Sequence, residues 1–335
     1  MSGIKSIKIG NVEIEKTASL APMAGMADAA YRLMAKKYGA ALVCGEMASC
    51  KGLCYTDRKS AGLLEVTEAE RPMAVQLFGS EPEFFAKAAK IAAGYRPDII
   101  DINCGCPVHK VVSTGAGSAL MKNPKLIGEL VKAVRSATDI PVTVKIRLGW
   151  DNNSINAPEA AKAAEDSGAA AVAVHGRTKT QTYSGQADWE AIARVKEAVS
   201  IPVIGNGDVT DPKTCEKMYR ETGCDLVMIG RGSYGRPWIF DEIKHYFETG
   251  KLLPEKSLDE RLEVLTEHIR LIVSSKGELP GMREARKHAI WYLKGIKGAA
   301  MYRNKCGSLC TLDDFYRLKE AVLNDNKQGS YYYEI

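Results

Sequence analysis

The sequence predicts a (β/α)8 barrel followed by a small C-terminal all-helical domain, and three observations favour this fold class. Eight short apolar runs recur between residues 18 and 230, and mostly helix-period sequence separates them. Strands that alternate with helices are typical of parallel β/α units, and eight such units fit a barrel better than an open sheet. Beyond them, apolar residues recur only at helical spacing, which indicates a separate helical region.

The eight predicted strands are the apolar runs 18–21, 41–44, 73–77, 99–102, 142–146, 170–174, 202–204 and 226–229. Between them, helix-period patterns cover segments that include 83–93, 124–137, 158–167, 189–199 and 212–222. Several of these segments carry proline near the first turn. Proline is favoured there because its missing N–H would have no partner within the helix.

Glycines, amides and charged residues follow the predicted strands. The motifs are Pro-Met-Ala-Gly at 22–25, Gly-Glu-Met at 45–47, Gln-Leu-Phe-Gly at 76–79, Asn-Cys-Gly-Cys-Pro at 103–107, Lys-Ile-Arg at 145–147, His-Gly-Arg at 175–177, Asn-Gly-Asp at 206–208 and Gly-Arg at 230–231. In a barrel the carboxyl ends of all strands meet on one face, where such enzymes place their chemistry. The motifs therefore predict one functional site on that face.

Cys106 is the candidate catalytic thiol of this site. It lies in a turn that follows an apolar run, and Pro107, His109 and Lys110 flank it. The alternative is that Cys106 is a small buried hydrophobe, as many cysteines after strands are. The residues of this segment alone favour neither interpretation.

The seventh and eighth strand ends carry signals for a phosphate. Barrel enzymes most often bind phosphate there, and the glycines allow backbone N–H groups to approach an anion, while Arg231 adds charge. Gln76 offers a donor and an acceptor to the edge of a ring. Lys145 is a positive charge that suits a flavin, or alternatively one partner of an ion pair inside the barrel. No G-x-G-x-x-G or P-loop motif occurs, which disfavours a Rossmann-bound dinucleotide or a nucleoside triphosphate.

Composition restricts the class of protein further. The chain has 335 residues, 45% of them hydrophobic, and no apolar run near the roughly 20 residues that a membrane span needs. Its start lacks a secretory signal, so we expect a cytoplasmic protein. Nine cysteines are an odd number and form no paired C-x-x-C units, which disfavours a disulfide framework and a structural zinc site. The net charge of +5 permits a polyanionic partner without requiring one.

The C-terminal region reads as helices after a linker at 249–255. Ser257-Leu-Asp-Glu260 is a capping box that begins one helix, a second helix is predicted over 283–296, and Thr311-Leu-Asp-Asp314 begins a third. Residues 281–305 hold seven basic residues against one acidic residue, with Trp291, Tyr292 and Tyr302 among them. Such a segment is either a nucleic-acid surface or a solvated helix face over an aromatic core. Residues 324–335 are expected to be poorly ordered.

Seven motifs together resemble the tRNA-dihydrouridine synthases, and the bacterial B-type subfamily is the most similar. They are Ala-Pro-Met-Ala-Gly at 21–25, Gln-Leu-Phe-Gly at 76–79, Asp-Ile-Asn-Cys-Gly-Cys-Pro at 101–107, Val-Lys-Ile-Arg at 144–147, Val-His-Gly-Arg at 174–177, Gly-Asn-Gly-Asp at 205–208 and Met-Ile-Gly-Arg at 228–231. The resemblance implies an FMN-binding catalytic barrel over residues 1–248 and a helical tRNA-binding domain over 256–325. It also implies reduction of the 5,6 double bond of specific tRNA uridines with NADPH.

The resemblance also implies roles for individual residues, with Cys106 as proton donor to a base that receives hydride from reduced FMN. The implied cofactor-binding residues are Pro22, Met23, Ala24, Gln76, Lys145, His175, Asn206, Gly207, Asp208, Gly230 and Arg231. The implied substrate contacts are Asn103 to the uracil, Arg177 to the uracil or a phosphate, and Arg286, Lys287 and Lys294 to the tRNA. Cys104 departs from the family pattern, which more often has no thiol at that position.

Two other functions remain open at the level of sequence. An FMN barrel that reduces a free pyrimidine would use a similar loop thiol, although it has no need of the basic helical region. An RNA-binding barrel without catalysis would be expected to lack Cys106, Lys145 and His175, which are all present. We expect a monomer that uses tRNA and NADPH, with no membrane and no metal partner.

Overall fold

A computed structural model of the chain describes residues 4–55 and 57–327, and these residues include a closed barrel of eight parallel strands. An antiparallel hairpin of β1 (Ser6–Ile9) and β2 (Val12–Glu15), absent from the sequence-based prediction, precedes the barrel. The barrel strands are β3 (Ala18–Leu20), β4 (Val43–Ser49), β5 (Met73–Phe78), β6 (Ile99–Cys104), β7 (Val142–Arg147), β8 (Ala171–His175), β9 (Val203–Asn206) and β10 (Leu226–Ile229). The predicted fold class is confirmed.

Each barrel strand pairs with its neighbours in chain order, and β10 closes the ring against β3. All eight apolar runs of the sequence contribute to a strand. β4 is the exception in length: it begins at Val43 and continues to Ser49, past an irregularity in its pairing with β5 between Cys44 and Met47. The polar residues Glu46 and Ser49 concealed the second half of this strand in the sequence.

Helices cover the outside of the barrel, and three short 3-10 helices occupy loops at Glu68–Glu70, Gly117–Lys122 and Arg231–Ser233. The α-helices of this part of the chain are α1 (Ala29–Lys37), α2 (Cys50–Cys54), α3 (Arg58–Gly62), α4 (Pro82–Ala93), α5 (His109–Val112), α6 (Pro124–Arg135), α7 (Ala157–Asp166), α8 (Trp189–Ala198), α9 (Pro212–Thr222) and α10 (Ile239–Thr249). Asp188 and Asp211 cap α8 and α9 by accepting hydrogen bonds from backbone N–H groups of the first turn.

Strand alternation sorts the barrel side chains into two environments. On β6, Ile100, Ile102 and Cys104 pack in the apolar layer between strands and helices, whereas Asp101 and Asn103 point to the barrel interior. A second apolar cluster, with Ala171 among its members, draws on alternate positions of the same strands. The polar interior positions cluster toward the carboxyl ends of the strands, and we call that end the barrel mouth.

The chain divides into two compact units. The first contains the barrel, with the residues up to Gly232 and the segment Trp238–Leu252, and the second contains Ser233–Pro237 and the residues from Leu253 onward. The helices of the second unit are α11 (Leu258–Lys276), α12 (Glu278–Tyr292), α13 (Ala299–Cys306) and α14 (Leu312–Lys327). In the described ranges no helix is both long enough and apolar enough to cross a membrane.

Two predictions for the second unit need correction. The second helix was predicted over 283–296, but it begins at Glu278 and ends at Tyr292. It can begin before Pro280 because proline is tolerated in the first turn of a helix. The C-terminal residues predicted to be poorly ordered begin at Asn324, but α14 continues through Lys327. Residues 328–335 of that prediction lie outside the described residues.

Candidate active site

A buried chain of hydrogen bonds crosses the barrel interior from β5 to β7. The Asn103 Nδ2 donates to Gln76 Oε1 at 2.8 Å, and the Gln76 Nε2 donates to Asp101 Oδ2 at 2.7 Å. The Thr143 hydroxyl donates to the other Asp101 oxygen at 2.6 Å. Burial raises the pKa of Asp101, while the hydrogen bonds from Gln76 and Thr143 oppose that rise. The network fixes the orientation of the Gln76 amide, which keeps one further donor and one lone pair for a ligand.

The Cys106 thiol sits on a turn that the protein holds from both sides. The Asn103 Oδ1 accepts the backbone N–H groups of Gly105 and Cys106 at 3.1 and 2.9 Å. The Cys106 carbonyl in turn accepts the N–H and the hydroxyl of Ser118 at 3.0 and 2.9 Å. Asn103 therefore positions the thiol in addition to its predicted contact with uracil, which stays a prediction.

The environment keeps Cys106 protonated at neutral pH. Its half-buried position raises the pKa of the thiol, and the Val108 backbone N–H and the Arg147 charge oppose that rise. Cys104, two residues earlier, faces the helix layer and is fully buried, and burial raises its pKa well above the usual range. Strand alternation thus separates the two thiols, and only Cys106 belongs to the mouth.

Arg147 is a site residue that sequence reasoning did not single out. Its side chain is 3% exposed, and its Nε donates to the Gly105 carbonyl at 2.8 Å. Its Nη1 donates to the carbonyls of Thr178 and Thr182 at 2.8 and 2.9 Å. Arg147 therefore ties the Cys106 turn to the loop after β8. Its position two residues after Lys145 on one strand was the signal, because residues i and i+2 share a face.

Lys145 supplies positive charge to the mouth. Its Nζ donates to Asn206 Oδ1 at 3.0 Å, and the Asn206 Nδ2 donates to the Met228 carbonyl at 2.8 Å. Burial lowers the pKa of Lys145 to about 8, with Arg147 contributing, while Asp101 opposes the shift. Among the described residues no carboxylate lies within ion-pair distance of Lys145. The alternative prediction, that Lys145 forms an ion pair inside the barrel, therefore does not hold for these residues.

His175 is a neutral imidazole at the end of β8. It is 8% exposed, and burial lowers its pKa far below the usual value, with Lys145 and Arg147 adding to the shift. Because the ring carries no charge at neutral pH, its two nitrogens act as one donor and one acceptor.

Arg177 and Asp208 form an ion pair that fixes the neighbouring loops. Two Arg177 nitrogens each donate to one oxygen of Asp208 at 2.8 Å, and the Arg177 Nε donates to the Ser184 carbonyl at 3.1 Å. Asp208 also accepts the Ala187 N–H at 2.7 Å and has a positive φ of 59°. Arg177 was predicted to contact substrate and Asp208 to contact cofactor, and the structure brings the two side chains together. Their ligand contacts stay predictions.

Tyr183 is a second residue that the sequence did not single out. Its side chain is 54% exposed. Its ring centroid lies 4.4 Å from the Arg231 guanidinium carbon, 5.8 Å from that of Arg147 and 6.3 Å from the His175 ring. An exposed aromatic ring therefore stands over the cations of the mouth.

The loop after β3 brings the first predicted cofactor contacts to the same place. The Ala21 N–H donates to the Ile229 carbonyl at 2.9 Å, which joins this loop to β10. A Cβ built on Gly230 would lie 3.6 Å from Met23 Sδ, so the two loops are in contact. Pro22 and Met23 are partly buried and Ala24 is exposed at the mouth. The structure thus gathers the predicted cofactor set from the ends of six strands (β3, β5, β7, β8, β9 and β10) onto one face.

The mouth fits an anionic, planar cofactor with a phosphate. Lys145, Arg147 and Arg231 supply positive charge, and Gln76 and Asn206 supply polar edges. The turn at 206–208 has positive φ at Gly207 and Asp208, and a Cβ built on Gly207 would lie 3.2 Å from the His175 ring, so the backbone of this turn lies close to His175. Three acids lie at the mouth: Asp101 accepts hydrogen bonds from Gln76 and Thr143, Asp208 pairs with Arg177, and Glu46 accepts the Gly25 N–H.

Two of the three predicted RNA residues of the second unit, Arg286 and Lys287, have partners within the protein. The Arg286 Nε donates to the Leu309 carbonyl at 2.8 Å, Lys287 pairs with Glu284 at 2.9 Å, and Lys294 is exposed. Of the three aromatic residues in the basic segment, Tyr292 and Tyr302 are buried core residues and only Trp291 reaches the surface, at 36% exposed. Tyr292 and Tyr302 are therefore packing residues, and the prediction that aromatic residues of this segment stack on RNA stays a prediction.

Taken together, the fold and the mouth define a (β/α)8-barrel enzyme with one protonated thiol, a neutral imidazole and clustered cations. Comparison with known proteins then gives the family. The family model "Dihydrouridine synthase (Dus)" matches residues 19–327, and the chain belongs to this family of oxidoreductases. It is 43% identical over 317 residues to a "Probable tRNA-dihydrouridine synthase" of Rickettsia conorii, which covers 94% of this chain and 95% of the relative.

A second relative agrees with this assignment, and two solved structures share the fold. The chain is 42% identical over 307 residues to "tRNA-dihydrouridine synthase B" of Pseudomonas putida, which covers 91% of each chain. Histamine dehydrogenase from Rhizobium sp. 4-9 has a similar fold, with a TM-score of 0.57 and 14% identity over 80% of this chain and 50% of that chain. The 6-hydroxypseudooxynicotine amine oxidase of Pseudomonas geniculata N1 matches with a TM-score of 0.59 and 16% identity, over 79% and 52%. These structures show the fold.

Proposed function

We propose that this protein is an FMN-dependent tRNA-dihydrouridine synthase that reduces the 5,6 double bond of uridines in tRNA with NADPH as reductant. The observation that carries the proposal is the Cys106 turn: a protonated thiol, fixed by Asn103 and Arg147, at the same mouth as Lys145 and His175. The names of the relatives at 42% and 43% identity support the tRNA substrate.

Two groups of residues would hold FMN. Gln76 and Lys145 would contact the polar edge of the flavin, with His175 and the segment Pro22–Ala24 against its ring. Asn206, Gly207, Asp208, Gly230 and Arg231 would hold the ribityl phosphate region, as the glycines of these two strand ends and the charge of Arg231 favour. When bound and reduced, the flavin supplies hydride to the substrate base.

Cys106 would supply the proton that completes the reduction. Because its pKa is raised, the thiol is protonated at neutral pH and can act as a general acid toward the base carbon. The thiolate left behind would be stabilised by the Val108 N–H and by the positive charge of Arg147. Since Cys106 is only half-buried, solvent can return the proton once product leaves.

The other site residues would orient the base and stabilise charge. Lys145 places a positive charge where negative charge develops on the base, and neutral His175 contributes a hydrogen bond. Asn103 would contact the uracil through its Nδ2, giving up its long contact with Met47 Sδ at 3.6 Å while it keeps the hydrogen bond to Gln76. A uridine inside a folded tRNA must leave its stack to reach the mouth, and this flipping is how enzymes reach bases in structured nucleic acids.

The visible spectrum of the purified protein tests the proposal. Flavin absorption that is bleached anaerobically by NADPH and restored by unmodified tRNA is the expected result. Restoration by free uracil or orotate but not by tRNA would replace the substrate with a free pyrimidine. A protein that binds no FMN even when the cofactor is added would overturn the enzymatic assignment.

A further inference from the structure

Two lysine side chains lie over the ring of Trp150 at the barrel rim. The Lys122 Nζ lies 3.5 Å and the Lys179 Nζ 4.4 Å from the centroid of that ring. We call these three residues the Trp150 platform. The face of an aromatic ring attracts an ammonium group, so the Trp150 ring gives both flexible side chains a preferred position. The result is two positive charges held close together.

The two charges of the Trp150 platform are left available to a partner. Within residues 4–55 and 57–327, no carboxylate forms an ion pair with Lys122 or Lys179. Lys51, which also lies over an aromatic ring, pairs instead with Glu81. Lys122 is exposed, and Trp150 and Lys179 are partly exposed. Two like charges without an acid between them attract an anion and repel each other when none is bound.

The Trp150 platform adjoins the Cys106 turn on two sides. Lys122 ends the 3-10 helix in which Ser118 binds the Cys106 carbonyl. On the other side, Arg147 links the Gly105 carbonyl to that of Thr178, next to Lys179. The Lys179 N–H donates to the Gly149 carbonyl at 3.0 Å, which joins the loop after β8 to the loop that carries Trp150. The platform is therefore part of the rim beside the candidate acid.

We propose that the Trp150 platform binds the phosphate backbone of the RNA that flanks the base presented to Cys106. This inference rests on the proposed function. A base can reach the mouth only if the backbone on either side crosses the rim, and phosphate contacts fix register without reading sequence. Lysine serves phosphate as a point charge, and the Trp150 ring holds both lysines where the backbone would cross.

Neutralising the platform tests this inference. In Lys122→Gln/Lys179→Gln we expect the affinity for unmodified tRNA at about 0.1 M salt to fall about tenfold or more. The slope of log K against log salt should become less steep by about 2, since each lysine would neutralise one phosphate. The matched control is Lys5→Gln/Lys16→Gln, at the amino end of β3. It removes the same charge from one exposed and one partly exposed lysine, and Lys16 also lies over a ring, that of Tyr219, at 5.1 Å.

The outcomes separate the inference from the proposed function. Phosphate binding by the Trp150 platform is supported if Lys122→Gln/Lys179→Gln reduces tRNA affinity and salt slope. The Lys5/Lys16 control and Lys122→Arg/Lys179→Arg should keep both. An unchanged glutamine variant, or an equal loss in the Lys5/Lys16 control, would overturn it. A loss of NADPH affinity with tRNA affinity intact would also overturn it in favour of a dinucleotide phosphate. A wild-type protein that binds FMN but no tRNA would instead overturn the proposed substrate. FMN content and thermal midpoint verify that each variant is folded.

Discussion

Cys106 and Cys104 show how one position on a strand decides the chemistry of a residue. Both thiols have a raised pKa because of burial, but Cys104 packs in the helix layer while Cys106 is half-buried at the mouth. We expect Cys106→Ala to keep FMN and to lose about 10²–10⁴-fold in turnover, the range typical of a general acid. Cys104→Ala is the matched control and should turn over almost normally. Single-turnover kinetics with reduced enzyme measures both, and wild-type turnover in Cys106→Ala would remove its assigned role.

Arg147 is expected to set both the position and the acidity of Cys106. The protonated thiol is the active form, so turnover should fall as pH rises through the pKa of Cys106. Arg147 lowers that pKa, and its replacement in Arg147→Gln should move the alkaline limb of the kcat/KM profile to higher pH. Arg147→Lys keeps the charge and should keep the alkaline limb. We expect kcat to fall about 10–100-fold, because one ammonium nitrogen cannot occupy the positions of both Nε and Nη1 toward the three carbonyls. Identical pH profiles in the wild type, Arg147→Gln and Arg147→Lys would contradict the effect of the Arg147 charge on the pKa of Cys106.

The lowered pKa of Lys145 predicts that cofactor binding depends on pH. Its pKa of about 8 means that the side chain is mostly charged at pH 7 and mostly neutral at pH 9. An anionic cofactor favours the charged form, so the affinity of flavin-free protein for FMN should fall over this range. Fluorescence titration at several pH values measures the effect, and Lys145→Met should bind more weakly with a flatter profile. An equally steep profile in Lys145→Met would assign the dependence to another group.

At the level of secondary-structure elements, close backbone approach makes one glycine of the second unit indispensable. Gly235 has φ +65°, and a Cβ there would lie 2.4 Å from the Trp291 carbonyl carbon and 2.7 Å from the Tyr292 nitrogen. Gly250 has a similar φ of +71° with nothing within 4 Å of its Cβ position. Gly250→Ala should therefore cost only the left-handed strain of about 1 kcal/mol, whereas Gly235→Ala should cost at least about 2 kcal/mol more. Urea unfolding of both variants gives the difference, and equal losses of stability would contradict the close contact with α12.

How well the sequence predicts the ends of helices and strands depends on how clear the apolar pattern of each element is. The capping box at Ser257 correctly marked the start of α11, because Ser257 and Glu260 bond each other's backbone N–H groups. The second half of β4 and the hairpin of β1 and β2 were missed, since partly polar strands lack a strong apolar run. Local pattern thus identifies elements with one clear apolar face and fails where burial is mixed.

For the molecule as a whole, charge predicts how tRNA binding depends on salt. Residues 281–305 concentrate basic side chains on the second unit, but Arg286 and Lys287 also bind protein groups. We expect Arg286→Gln/Lys287→Gln/Lys294→Gln to weaken tRNA binding and to make its salt slope less steep by up to about 3, with FMN content unchanged. Lys90→Gln/Lys132→Gln/Lys213→Gln, on the outer barrel helices α4, α6 and α9, carries the same charge change and should bind normally. Unchanged affinity of the first triple variant at moderate salt would exclude these residues from the RNA-binding surface.

The order of amino acids was enough to predict the barrel, the helical region after it and most residues of the mouth. It was enough because strand alternation and the placement of motifs after apolar runs are local properties of the chain. The folded structure was needed to establish which of those residues hold one another: the Arg177–Asp208 pair, the buried role of Tyr292 and Tyr302, and the contacts of Arg147 and of the Trp150 platform. These contacts join loops far apart in the chain, and local pattern carries no information about such distances.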